Sequence, residues 1–193
     1  ESDPQPERRS VVVPTPWVAW GAIAAMLMIG VFLWHGGTPE QSTVARIIHI
    51  EGEASVGERR GLANGDELFA GDELTMEAGL IELAYRESGV HVLATAPLTA
   101  KLESTMRVHL NKGEMKLMVP PQGVGFVVDT PERKITDLGT SFVVKASEAG
   151  SRVLVLDGKI AVNGEDGGDV QLMEKGDLAK FDRDGKIHLR AER

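Results

Sequence analysis

An uncharged apolar run near the amino end constrains the fold of this chain more than any other feature. Residues 17–34 read WVAWGAIAAMLMIGVFLW and contain no Asp, Glu, Lys or Arg. With the preceding valines and prolines, the apolar stretch covers residues 11–35, near the ~20 residues that a helix needs to cross the hydrocarbon core. We therefore predict one transmembrane helix over residues 11–35. Trp17, Trp20 and Trp34 would anchor its two ends, because indole rings favour the membrane interface.

The charges that flank this run predict its orientation. Arg8 and Arg9 precede it, and the other flank holds no Lys or Arg before Arg46. The positive-inside rule then places residues 1–10 in the cytoplasm and the larger remainder outside. A cleavable signal peptide and a buried core helix are the alternatives, although no small-x-small cleavage site follows Trp34 and the run has no polar face. The chain begins with Glu, so we expect that the short cytoplasmic segment is truncated.

Beyond a linker over residues 36–43, the pattern of residues 44–190 indicates an all-β exported domain. Short alternating runs recur, and each is bounded by Gly, Asp, Asn or Pro; examples are VARIIHI, LIELAY, GVHVLA, SFVVKA, RVLVL and KIAVN. We expect many short antiparallel strands joined by hairpins. The pairs Asp157-Gly158 and Asp184-Gly185 each predict a type I′ hairpin turn, because this turn needs positive φ angles.

A weak internal repeat suggests how these strands are arranged. Gly65-Asp66-Glu67-Leu68 recurs as Gly71-Asp72-Glu73-Leu74, with an echo at Gly176-Asp177-Leu178. Stacked coils of strand would reuse Gly-Asp at a corner, followed by a Leu that points inward. The turn spacing suits a sandwich equally well, so both a solenoid-like and a sandwich-like arrangement are expected.

Composition argues against several classes of function. The chain has no Cys, which removes disulfides, thiolate metal sites and a Cys nucleophile. Its five His show no HxH or HExxH spacing, so we expect no metal site. The net charge of -8 disfavours direct binding to nucleic acid, which needs a basic face.

No catalytic residue, cofactor site or enzyme activity is expected. Ser141 lies in TDLGTSFVVKA, but no Gly follows it to form the GxSxG elbow, and no GxxxxGK[ST] loop is present to hold a phosphate. Gly139 and Thr140 are expected to shape the backbone before a strand in which Phe142 and Val144 face the core. Carboxylate pairs such as Asp129 with Asp137 are expected to be solvated turn residues.

Residues 126–146, FVVDTPERKITDLGTSFVVKA, resemble the FecR family of periplasmic regulators of envelope signalling. The similarity continues through VLVLDGKIAV and LMEKGDLAKF, and more loosely through the first half of the β domain. Asp137 and Glu132-Arg133 depart from the usual family pattern. The positions that match the family motif, all with an expected structural role, are Thr130, Pro131, Leu138, Gly139, Thr140, Phe142, Val144, Gly158 and Gly176.

The resemblance implies a protein of the bacterial inner membrane, with its β domain in the periplasm. That domain would sense a periplasmic or outer-membrane protein, and the single helix would relay its state to a cytoplasmic extracytoplasmic-function sigma factor. The segment that binds the sigma factor would precede residue 1. A structural or glycan-binding module of the cell envelope is the alternative.

Overall fold

A computed structural model describes residues 42–164, 170–184 and 186–191, which belong to one compact unit, Gln41–Arg193. Within these ranges no helix is both long and apolar enough to span a membrane. The predicted helix over residues 11–35, with Trp17, Trp20 and Trp34, lies outside the described residues.

The described residues form an all-β domain, as predicted, with 14 strands in one sheet and a short 3-10 turn at Pro121–Gly123. The strands are β1 (Thr43–Val56), β2 (Arg59–Arg60), β3 (Glu67–Phe69), β4 (Glu73–Tyr85), β5 (His91–Ser104), β6 (Arg107–Met118), β7 (Val127–Asp129), β8 (Arg133–Asp137), β9 (Ser141–Ser147), β10 (Gly150–Asp157), β11 (Lys159–Gly164), β12 (Gln171–Glu174), β13 (Asp177–Phe181) and β14 (Ile187–Ala191).

Four strands are longer than the sequence predicts. β1, β4, β5 and β6 have 12 to 14 residues each, because they continue through irregularities at which the register shifts. Gly52 and Gly79 pair across one such point, with φ values of 100° and 103°. A Cβ at Gly52 would lie 2.3 Å from the carbonyl oxygen of Ala78, so no side chain fits there. The sequence pattern suggests that the strands end at these glycines. In the structure the strands continue and bend there instead.

The bends divide the sheet into two halves. In one half the order is β1, β4, β5, β6, β9, β10, β13 and β14; in the other, the opposite ends of β1, β4, β5 and β6 continue into β7, β8, β11 and β12. Residues 113–118 of β6 pair with β9, while residues 107–109 pair in parallel with β7. Every other pairing of described strands is antiparallel, as predicted. The buried apolar side chains of both halves belong to one hydrophobic core.

The antiparallel pairing of one predicted hairpin is confirmed, although its register is centred on Asp184 and does not fit the two-residue loop of a type I′ turn; the other predicted hairpin is wrong. β13 and β14 pair antiparallel on either side of Asp184, with Phe181 opposite Ile187. β10 and β11, however, do not pair with each other: β10 pairs with β9 and β13, and β11 pairs with β8 and β12. Gly158 still has a positive φ of 80°, but it turns the chain from one half of the sheet to the other.

The Gly-Asp repeat forms corners, as the sequence predicts. In each corner the Asp carboxylate accepts a hydrogen bond from the backbone N–H three residues earlier, at 3.1 Å for Asp66 and 2.8 Å for both Asp72 and Asp177. The preceding Gly has a φ near 90° each time. Leu68 and Leu74 then point into the core and are fully buried. The carboxylates of this repeat therefore hold turns together.

Candidate functional site

The turn at residues 137–140 joins β8 to β9 and is held by the side chain of Asp137. This side chain is buried, and its Oδ2 accepts a hydrogen bond from the backbone N–H of Gly139 at 2.7 Å. Its Oδ1 accepts a second one from the hydroxyl of Thr140. Gly139 has a φ of 98°, which an L side chain rarely adopts. Asp137 is thus the cap of its own turn, and the expectation that it is solvated is wrong.

Burial changes the acidity of this carboxyl group. Loss of water around Asp137 raises its pKa to about 6, and the hydrogen bonds from Gly139 and Thr140 oppose the rise only in part. Burial disfavours the charged form of an acid, whereas donated hydrogen bonds favour it. The group therefore changes charge near pH 6 and not near pH 4.

Backbone hydrogen bonds connect this turn to two other segments. The Asp137 N–H donates to the carbonyl oxygen of Phe126 at 2.8 Å, and the Leu138 N–H donates to that of Lys159 at 3.1 Å. A Cβ at Gly158 would lie 2.2 Å from the carbonyl oxygen of Gly139. The backbone of Gly139 therefore packs directly against Gly158, which has no room for a side chain.

Other positions of the family motif divide between the core and the surface. Phe142 and Val144 are fully buried on one face of β9, as expected. The Thr130 hydroxyl accepts the backbone N–H of Arg133 at 3.1 Å and lies 3.1 Å from the hydroxyl oxygen of Ser151. Pro131, which follows, is exposed.

Leu138 and Gly176 complete the set. Leu138 is 44% exposed, so its side chain lies on the surface of the turn. Gly176 has a φ of 89° at the corner between β12 and β13, and its N–H donates to the Val155 carbonyl oxygen at 2.9 Å.

Ser141 lies at the rim of an open depression of about 580 Å³, together with His91, Met118, Gln122 and Asp157. A Ser nucleophile needs a base within hydrogen-bond reach. Within the described part of the chain, the Ser141 hydroxyl makes no hydrogen bond to a His or a carboxylate. The described residues also contain no group of three or more His, Asp or Glu that could hold a metal ion. The geometry here is that of a strand entrance.

One partly buried ion pair was missed by sequence reasoning. Arg107 Nε lies 2.5 Å from Asp129 Oδ2 and 3.0 Å from Glu103 Oε2. The Asp129 side chain is only 12% exposed, and its hydrogen bond raises the pKa of Arg107 further. The pair joins the two parallel strands β6 and β7. Asp129 and Asp137, paired in the sequence analysis, thus have separate partners.

Comparisons with known proteins are consistent with this geometry. Residues 88–161 match the family described as FecR protein, a range that runs from the turn after β4 into β11 and contains the turn at residues 137–140. Two crystal structures of a candidate anti-sigma factor from Parabacteroides distasonis ATCC 8503, at 1.65 and 2.50 Å resolution, each have a TM-score of 0.54 and share 23% and 22% identity with this chain. Each alignment covers 62% of this chain and 59% of the other, and at this identity shows the fold alone. No curated protein matches.

Proposed function

This chain contains a FecR-family domain, and on that premise we propose that it is a non-enzymatic regulator that relays an envelope signal to an extracytoplasmic-function sigma factor. The β domain lies in the periplasm and receives the signal. A helix over residues 11–35 crosses the inner membrane, and a cytoplasmic segment contacts the sigma factor.

The match of residues 88–161 to the FecR family carries this proposal. The fold shared with a candidate anti-sigma factor is further support. The most distinctive motif, at residues 138–142, has a structural role: Gly139 and Thr140 donate hydrogen bonds to the Asp137 carboxylate, and Phe142 enters the core. A function that needs no pocket chemistry, and instead uses a surface of the domain, fits such a motif best.

The edges of the sheet are the natural place for a protein partner. Among the described strands, β12 pairs with β11 alone and β14 with β13 alone. Leu172 on β12 and Leu189 on β14 are 62% and 54% exposed. An exposed edge has free backbone groups that can accept a strand from another protein. For a relay to work, this partner must bind two states of the domain with different affinity.

A glycan-binding envelope module is the alternative function. Sugar rings commonly stack on exposed aromatic side chains, but Tyr85, Phe126, Phe142 and Phe181 are buried and Phe69 is partly buried. These five are the aromatic residues of residues 42–193. The described surface therefore lacks an aromatic platform, which favours the regulatory role.

The relay can be tested by exchanging the anchor. One variant replaces residues 11–35 by a cleavable signal peptide, so that the β domain is exported but released. A matched control replaces the same residues by an unrelated transmembrane helix. We expect sigma-dependent transcription to change in the first variant, because the domain has lost its physical link to the cytoplasm. Unchanged transcription with a folded, exported domain in that variant would refute the relay, and saturable binding to cell-wall polysaccharide would favour the alternative.

A further inference from the structure

A row of cationic side chains crosses the outer face of the sheet half that contains β9, β10 and β13. The strand register places Lys145 opposite Arg152, and Arg152 opposite Lys180. Their chain neighbours Val144, Val153 and Ala179 are buried in the core, so the three cations point to the other face. We call Lys145, Arg152 and Lys180 the basic row.

The basic row is poorly neutralised. Glu114 lies 3.4 Å from Lys145 Nζ and 3.6 Å from Arg152, so both cations share one carboxylate. Lys180 makes no ion pair with any described residue. Neighbouring strands lie about 4.8 Å apart, and like charges directly opposite each other destabilise a sheet. A chain with a net charge of -8 thus concentrates three cations where they repel one another.

A surface depression borders all three cations. Its volume is about 260 Å³, and its lining includes all three members of the basic row together with Gly150, Ser147 and Asp182. A Cβ at Gly150 would lie 2.2 Å from the carbonyl oxygen of Phe181, so this position must remain without a side chain. Asp182 is the acidic group at the rim, and its carboxylate is 3.0 Å from His188 Nε2 on β14.

We propose that the basic row binds a compact oxyanion of the phosphate class that carries at least two negative charges. Arg152 supplies a planar fork that matches two oxygens of such a group, and the two lysines add point charges on either side. An extended acidic peptide fits less well, because its side chains on one face repeat every ~6.7 Å and not every 4.8 Å. This inference does not depend on the regulatory role.

Lysine footprinting with pyrophosphate tests the proposal on the complete chain, held in an uncharged detergent. Acetylation of each lysine amine is measured by mass spectrometry as pyrophosphate is added at constant ionic strength. Lys145 and Lys180 should become protected along one saturable curve, whereas Lys101, exposed on the other sheet half, should not. Equal protection of Lys101, or no saturation, would overturn the site.

Two substitutions with opposite expected effects on pyrophosphate affinity provide a further test. Glu114→Gln removes the competing carboxylate and should strengthen pyrophosphate binding by up to about five-fold, the worth of one exposed charge at contact distance in water. Lys180→Gln should weaken it by a similar factor. Glu73→Gln and Lys101→Gln make the same charge changes on the other sheet half and should have no effect. If Glu114→Gln leaves the binding curve unchanged, the basic row is not the site.

The source of the phosphate group is separated by a second arm. The chain is reconstituted into vesicles of phosphatidylcholine, with or without phosphatidylglycerol, and the footprint is repeated without pyrophosphate. Protection of Lys145 and Lys180 by the anionic lipid identifies a headgroup as the ligand, whereas protection by pyrophosphate alone identifies a soluble anion. Protection by a poly-glutamate peptide but by neither phosphate source would replace the proposal with an acidic protein partner.

Discussion

The replacement of Asp137 by Asn tests how the turn at residues 137–140 is held. Asn has nearly the same size as Asp, and its Oδ1 can accept the Gly139 N–H that the carboxylate accepts at 2.7 Å. Its amide group can donate to the Thr140 hydroxyl oxygen if this hydroxyl rotates. The substitution therefore keeps both hydrogen bonds and removes a buried negative charge.

The magnitude follows from the pKa of about 6 in the folded protein, against a usual value of 3.8. Because the folded state holds the proton more tightly, it binds more protons than the unfolded chain between these two values. The contribution of Asp137 to stability is then largest below pH 4 and falls as the pH rises to about 6. The total loss is about 3 kcal/mol, at 1.36 kcal/mol for each pH unit.

Urea denaturation, followed by circular dichroism at pH 5 and pH 8, measures this effect. We expect Asp137→Asn to exceed the wild type by about 1–3 kcal/mol in unfolding free energy at pH 8, and by clearly less at pH 5. Hydrogen bonds lower the pKa values of three other carboxyl groups, those of Asp66, Glu67 and Asp184. These groups affect the stability of the wild type and of the variant equally, so they do not alter the difference between the two. Thr140→Val is the companion variant, and it should lower stability most at pH 8, where the carboxylate needs the hydroxyl donor. A variant Asp137→Asn that is less stable than the wild type at pH 8 would refute the reasoning.

Four further substitutions have expected outcomes in the same unfolding assay. Tyr85→Phe should raise stability by about 1 kcal/mol, because the buried Tyr85 hydroxyl has no hydrogen-bond partner among the described residues; a loss would mean that the hydroxyl is satisfied. Gly158→Ala should lower the unfolding free energy by more than about 2 kcal/mol, because its Cβ would overlap the carbonyl oxygen of Gly139. In Gly139→Ala the new Cβ meets nothing closer than 3.7 Å, so the loss should be only about 1–2 kcal/mol, from the positive φ. Equal losses in the two variants would contradict this packing. Ser141→Ala should change stability by less than 0.5 kcal/mol and leave signalling intact, and a folded but inactive variant would restore a chemical role for Ser141.

Local sequence chemistry predicted the features that depend on neighbouring residues. The alternation in β9 placed Phe142 and Val144 in the core, and the Gly-Asp corners place Leu68 and Leu74 inward. The hairpin around Asp184 also follows from its turn residues. In each case the responsible groups lie within a few residues of one another.

Features that depend on distant pairing could not be predicted in this way. Asp157-Gly158 has the composition of a hairpin turn. However, β10 pairs with β9 and β13 and not with β11, so these two residues connect one half of the sheet to the other. Gly52 and Gly79 resemble strand ends until their direct pairing across β1 and β4 is known.

The candidate sites illustrate the same limit. Whether a turn carboxylate such as Asp137 is solvated or buried depends on what packs over the turn. The basic row combines residues from three strands, and only their register brings Lys145, Arg152 and Lys180 together.

The regulatory role is tested most directly by transcript profiling after the deletion of residues 42–193 from the chromosomal gene, beside a strain with the complete chain. We expect the transcripts controlled by one extracytoplasmic-function sigma factor to change several-fold in the deletion strain, and those of the Ser141→Ala strain to match the complete chain. An unchanged sigma-dependent transcript set, under conditions in which the complete protein is produced and exported, would contradict the regulatory role.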